Sequence, residues 1–503
     1  MVILLVSSVL IVSLASSTST ESDLEVQNVD PARRRVDFGT FEYGEDELGL
    51  YISMVKDKTP TWTFYGDGEL LEKIETGYVD FDWSDYGDFD KREFVVEIEE
   101  YSDVTKIDWS YKSLVGDIPS ELGKLSNLER LYLRANDLDG GIPSELGDLN
   151  NLEYLDLREN QLSGEIPPEL GRLSNIERFY LTDNGLSGEI PPELGDLSNV
   201  RSFYLDSNRL EGKIPPELGD LSNIEYLDLR FNELSGKIPP ELGRLSDLQW
   251  FKLCSNHLVD EIPPELVGLS SLEWFRLSDN EISGDIPNWL GELSKLEWID
   301  LNGNELSGEI PHEIGDLDKL KKLDLGSNRL SGEIPPELGG LSDLKLLNLN
   351  SNELSGEIPS ELSSLTDLER VELQDNKFNH YGIDAFSTQP NLGDYKDVFD
   401  VLNISENDLS SEDIDNILSD LVESLKLEDK IEAEVYLTGN SVPSSDGMEN
   451  KQILEEEGWN VEVDEEEKDE VDEKDGIPGF TLPIFLIVAI IVTAVHQKKR
   501  DRQ

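Results

Sequence analysis

Few residues in this chain are equipped for covalent chemistry. Its one cysteine, Cys254, stands three residues before His257 in Cys-Ser-Asn-His. That spacing suits a thiol–imidazole pair or two ligands of a metal. A nucleophile pair needs a third group to orient the imidazole, and zinc needs about four ligands. The remaining imidazoles, His312, His380 and His496, lie far away in sequence. The sequence register sets Cys254 on the open face of a strand, with no partner evident. Paired carboxylates single out nothing in a chain with 108 acidic residues. Asp80, Asp82, Asp85, Asp88 and Asp90 are dense enough to supply oxygens to Ca²⁺, which takes about six to eight, but they match no EF-hand loop. Calcium is the one cofactor this leaves open. Asn403-Ile-Ser405 is an N-glycosylation sequon, expected at an exposed strand edge. No glycine-rich phosphate loop occurs, and catalysis is not expected.

Binding chemistry is better represented. Tyr226, Trp250, Trp274 and Trp298 recur at intervals of 24 residues. Two positions further along, the same interval gives Tyr132, Tyr180 and Tyr204. Arg134, Arg158, Arg178, Arg230, Lys252 and Arg276 fall near the same rows, in a chain otherwise poor in cations. Aromatic rings and guanidinium groups dominate binding hot spots. A face of this kind suits an acidic polypeptide, or a glycan whose rings stack on tryptophan and whose carboxylates meet arginine. The alternative is a ladder of rings that stiffens the fold, at about 0.5–1.5 kcal/mol per pair.

The elements that must position these residues are repeats. From Leu128 one 24-residue template recurs without insertion, as in LEYLDLRENQLSGEIPPELGRLSN from Leu152 to Asn175. Its ninth residue is always asparagine: Asn136, Asn160, Asn184, Asn208, Asn232, Asn256, Asn280, Asn304, Asn328, Asn352 and Asn376. In Leu155-Asp156-Leu157 alternate side chains face opposite ways, so the leucines enter a core and the residue between them faces solvent. The turn that follows strands backbone donors and acceptors, and a buried asparagine can satisfy both kinds. Ser-Gly-Glu-Ile-Pro makes a second extended stretch, and Glu-Leu-Gly a short helical turn on the outside. Val104 to Asn127 is a degenerate first repeat with Lys112 in the asparagine position. Phe399, Leu402, Ile404, Asn407 and Leu409 form a later repeat with a longer return, and Val435, Leu437 and Asn440 a last one.

The LSGxIPxxLGxL spacing resembles leucine-rich repeats of the plant-specific subclass, over residues 104–463. That resemblance implies an α/β solenoid with parallel strands along a concave face. Plant receptors of the subclass flank the array with paired cysteines and often carry a cytoplasmic kinase; here neither is expected, so their signalling role is not carried over. Residues 30–103 are rich in aromatics and alternating strands, such as Phe94 to Ile98, and carry Trp62-Thr-Phe-Tyr-Gly-Asp-Gly68 followed by Phe94-Val-Val-Glu-Ile-Glu99. They resemble a small β-sandwich of the polycystic-kidney-disease type, expected to cap the open edge of the array.

Residues 1–17 read as an export signal, an apolar run from Val2 to Leu14 followed by small residues. Residues 464–476 carry nine acids in thirteen positions, a solvated spacer. Residues 477–503 begin with nineteen uncharged residues, about 28 Å as a helix, and end in Lys498, Lys499, Arg500 and Arg502. Pro478-Gly479-Phe480 at the head of this segment resembles the archaeal PGF-type sorting signal. In that family an archaeosortase-like membrane enzyme cuts near the tripeptide and a lipid anchor replaces the tail. The expected product is held at the cell surface by its C-terminus, through a transmembrane helix or a lipid. A net charge of −66 excludes most nucleic-acid roles and suits salty surroundings. The reading that follows is recognition or adhesion through the concave face, towards an extracellular protein or glycan. Its alternative is a structural cell-envelope component without a specific ligand.

Overall fold

The computed structural model describes residues 104–112, 114–386, 401–425 and 433–465 in full, together with the backbones of Arg34–Phe41, Tyr51–Met54, Thr61–Gly66, Glu69–Glu75, Arg92–Ile98 and Asp400. The described residues up to Asp464 belong to one compact unit. The expected export signal, Asp80 to Asp90, Pro478-Gly479-Phe480 and the apolar C-terminal segment lie outside the described residues. Among those described, no helix is long and apolar enough to cross a membrane.

The alternation of leucines produces the dominant element, a 16-stranded sheet in which neighbouring repeats contribute neighbouring strands. From Val104–Asp108 as far as Arg370–Glu372 each short strand pairs in parallel with the strand 24 residues on. Tyr226 faces Trp250, Trp250 faces Trp274 and Trp274 faces Trp298, without slippage. The inward residue of each strand, such as Leu155, Phe179, Phe203 or Phe251, is completely buried in one continuous core. On the other side of the core the Ser-Gly stretches form a ten-stranded series from Ser163–Gly164 to Lys377–Tyr381. The Pro-Glu-Leu-Gly segments coil into single 3₁₀ turns along the outer rim, Pro168–Arg172 being representative.

The asparagine series makes the bridges its spacing implies. The Asn256 amide donates to the carbonyls of Leu253 and Cys254 in its own turn and of Leu229 in the turn before, while Oδ1 accepts from the Leu234 amide. Asn280 repeats this set one turn on. Asn160, Asn184 and Asn208 are half-buried, whereas the others of the eleven are buried. Asn407 and Asn440 extend the series past the regular template. These bridges hold the preceding residue in the left-handed region, at φ 54° for Ser255 and 55° for Asp279, a conformation costing a non-glycine residue about 1–2 kcal/mol.

Both ends of the array are closed by departures from the template. Tyr51–Met54 pairs antiparallel with Val104–Asp108, covering the first strand's free edge. Among the described residues the rest of the leading segment contributes one antiparallel four-stranded sheet. At the other end the return paths become helices, α1 (Ser411–Ser424) and α2 (Ser445–Glu456). Tyr381 ties the last regular repeat to α1: its hydroxyl donates to Asp420 Oδ2 at 2.7 Å and accepts from the Phe386 amide at 3.0 Å.

The bridges predict an asymmetry in stability. Replacing Asn256 or Asn280 by leucine leaves backbone groups unpaired and should cost about 1–3 kcal/mol each. Among asparagines outside the bridging series, Asn350 is half-buried and donates to Glu372, so its loss would carry a cost of its own. Asn150, exposed and bonded only to its neighbour Asp148 through its side chain, should tolerate leucine with little change. Thermal melts of the three variants check this, and equal midpoints would contradict the bridging role.

Candidate functional site

The parallel register places Tyr226, Trp250, Trp274 and Trp298 in a row on the open face of the large sheet, all half-buried. Their ring arrangement differs from uniform stacking. Trp250 and Trp274 lie parallel, with centroids 4.4 Å apart. Tyr226 meets Trp250 edge-on at 4.8 Å, and Trp274 meets Trp298 edge-on at 5.4 Å. The tyrosines form a second chain, and Tyr154, which stands in the first row two positions after Leu152, joins Tyr132 to Tyr180 at 4.6 and 5.4 Å. Tyr180 then stacks on Tyr204 at 4.9 Å. Burial raises the phenol pKa of Tyr154 to about 12.

Cations accompany the rings as the spacing implies, but most are committed to carboxylates. Lys252 is 7% exposed, with Nζ 4.2 Å from the Trp250 centroid, 4.8 Å from that of Trp274 and 3.6 Å from Asp228. Loss of hydration pushes its ammonium pKa down. Arg230 pairs with Asp228 at 2.7 Å, and Arg276 with Asp300 at 3.0 Å while lying 4.0 Å over Trp298. Arg158 pairs with Asp156 and Arg134 with Glu159. Lys322 covers Trp298 at 4.4 Å and Arg178 covers Tyr154 at 5.3 Å; both are exposed, and neither has an ion-pair partner among the described residues. The aspartates are the missed members of this face. They occupy the same inter-leucine position as Lys252 and Arg276, so register could have revealed them.

Phe231 was also missed. It is 54% exposed at the edge of the aromatic row, with φ 52°. Its equivalents in the regular repeats are small or polar, Ser207, Ser255, Asp279 and Gly303 among them, while the first repeat carries a second exposed aromatic there, Tyr111, 63% exposed at φ 58°. A bulky residue at positive φ is a genuine outlier, and here the ring gains little burial in return. The Arg230 guanidinium stands 5.8 Å from its centroid.

Two expected placements need correction. Cys254 belongs to the open-face side of its turn but is only 3% exposed, and burial pushes its thiol pKa up. Its register position is open in principle, and neighbouring side chains cover it. His257 lies in the other sheet, exposed beside Glu281 at 3.6 Å, so the two are not brought together as a pair. Among the described residues no three His, Cys, Asp or Glu side chains are grouped to hold a metal. Asn403 is half-buried, flanked by strands on both sides, and its Oδ1 accepts from the Ser405 hydroxyl and amide. The sequon is therefore not at an exposed strand edge.

Comparison with known proteins agrees with this architecture. The leucine-rich-repeat family matches over residues 246–306 and 270–330, and in single repeats over 127–149, 151–173, 175–197, 199–221, 223–245 and 343–365. None of the curated proteins matches the chain. Among solved structures, a TDR receptor is 30% identical with a TM-score of 0.62, covering 72% of this chain and 60% of its own. The plant peptide hormone receptor RGFR1, solved in complex with RGF2, is 32% identical with a TM-score of 0.58 over the same shares. This chain thus spans about 60% of those two structures' length. A protein of Leptospira interrogans is 27% identical with a TM-score of 0.52, covering 73% of this chain and 96% of its own. The body of this chain is a solenoid of leucine-rich repeats with parallel strands.

Proposed function

We propose that this chain is a recognition protein, displayed outside the cell, that captures an extracellular polypeptide on the aromatic face of its large sheet. Binding rather than catalysis is its role. The observation that carries the reading is Phe231, a strained and exposed aromatic beside the platform of Tyr226, Trp250, Trp274 and Trp298. Exposed aromatic area has a solvation cost that a partner would recover. RGFR1 was solved with a peptide hormone, and HAESA, 32% identical over 67% of this chain, with the peptide IDA. Both support a peptide or protein ligand here.

Ring geometry favours polypeptide over glycan. A sugar stacks on an open ring face, but Trp250 and Trp274 turn faces towards each other, and Trp298 carries Arg276 and Lys322. Ring edges and two exposed cations, Arg178 and Lys322, suit apolar and acidic side chains of a peptide. Surface display rests on the export-like N-terminus, the acidic spacer and the basic tail. The Pro478-Gly479-Phe480 motif adds cleavage by an archaeosortase-like enzyme and attachment to lipid in place of the tail.

Two experiments test this reading. Full-length protein should retain a partner from a panel of extracellular proteins while ignoring a glycan array. Phe231→Ser should then weaken capture by about 2 kcal/mol, roughly thirtyfold, without lowering the melting point. Trp274→Ala should weaken it too, with some loss of stability because it removes a stacked ring. Unchanged capture by both variants would leave a structural envelope role. For display, protease added to intact cells should digest the repeats, and mass spectrometry of mature protein should find a lipid and no Lys498 to Gln503. Repeats protected until lysis would overturn display, and an intact basic tail would leave an ordinary transmembrane anchor.

A further inference from the structure

On the outer rim, each 3₁₀ turn approaches the next through a glycine. A Cβ at Gly123, Gly147, Gly171, Gly195, Gly219, Gly243, Gly291, Gly315 or Gly339 would stand 2.1–2.4 Å from the carbonyl oxygen of a glutamate in the following turn. Real Cβ atoms do not come so close, so glycine there is a condition of the packing. The same register position in the repeat beginning at Leu248 is Val267. The glutamate that would oppose it is Trp289. Two substitutions therefore meet at one seam, between the turns Pro264–Gly268 and Asn288–Glu292.

The structure responds at this seam. These two turns are the least closely packed neighbouring pair along the rim. Val267 is 38% exposed, while Trp289 is only 9% exposed and joins the core, although most of its glutamate equivalents stand in solvent. Gly268 moves into the role Val267 vacates, but towards the other neighbour: a Cβ there would lie 2.2 Å from the Gly243 carbonyl oxygen. The outer turn thus leans back on its predecessor, away from Trp289.

On the opposite side of the same two repeats the strands stay paired. Leu253 donates to Arg276 at 2.9 Å and Trp274 to Gln249 at 2.9 Å. If the sheet edge is held and the rim opened, the two repeats rotate about the sheet, and side chains projecting from its open face converge. The side chains at that point are Trp250 and Trp274, whose centroids are 4.4 Å apart, closer than the strand spacing of about 4.8 Å. The flanking pairs, at 4.8 and 5.4 Å, show no such closeness.

We infer that Val267 and Trp289 form a spacer that sets the angle between these repeats and thereby presses Trp250 onto Trp274; they are positioning residues for the aromatic face. The inference rests on the proposed role of that face, but its test needs no partner, so the two fail separately. The full chain, labelled with 5-fluorotryptophan, is compared with its Val267→Gly/Trp289→Glu variant, which restores the residue types of neighbouring repeats. Each ring shields the other when stacked, so the fluorine resonances of Trp250 and Trp274 should move downfield as they separate, while those of Trp109 and Trp459 stay in place. Spin labels at Glu193→Cys and Glu337→Cys on outer turns, in a Cys254→Ser background, should come closer as the seam shuts. Val267→Ala should give smaller shifts in the same directions. Resonances that stay fixed, whether or not the labels approach, would overturn the inference, because the rim would then not govern the platform.

Discussion

One side-chain amide, repeated, holds the array together. An asparagine in the turn after each strand ties its own carbonyls to the carbonyl of the preceding turn and receives an amide proton in exchange, as Asn256 does with Leu253, Leu229 and Leu234. Without these bonds, every turn would bury unpaired backbone groups, and the left-handed residue before each asparagine would relax. The leucine core supplies most of the driving force, but it is directionless. The amide converts that stickiness into a fixed 24-residue step, and every consequence of register follows from it.

Register, in turn, turns a one-dimensional list into a surface. Because Tyr226, Trp250, Trp274 and Trp298 pair in sequence across four strands, residues far apart in the chain become neighbours. The same arithmetic brings Asp228 beside Lys252 and Asp300 beside Arg276. The face is therefore a neutralised lattice of ions and rings more than a cationic track. Among the described residues its free features are local ones: Phe231 and Tyr111 as exposed rings, Arg178 near the tyrosines and Lys322 beyond Trp298.

Much of the fold was legible in the sequence because the pattern is redundant. The asparagine positions, the strand register and the outer turns all follow from spacing and alternation, and Asn407 and Asn440 continued the series as expected. What escaped was whatever depends on side-chain direction within a row. Spacing put Cys254 on an open row, but not under its neighbours. It placed Asn403 at a strand's end without the strands that flank it. Periodicity shows which residues share a face; it is silent on which neighbours they choose there, as Arg230 chose Asp228. Exceptions such as Phe231 and Val267 were visible as deviations from the template, yet only packing shows what each deviation does.

Nearly all bonds of the regular array run between adjacent repeats and recur with the same offsets. A deletion or duplication of 24 residues in phase, for example of residues 176–199, would rejoin partners of the same kinds and leave no foreign junction. Such an array can lengthen or shorten by recombination between its own copies, and its reach can drift while its fold stays fixed. The segment 248–295 is exempt from that freedom. Val267 and Trp289 lie in consecutive repeats, and a crossover between them would press a valine against a glutamate turn or leave the tryptophan without its gap. Lineages of this chain would be expected to vary in repeat number on either side of that segment and to inherit it whole.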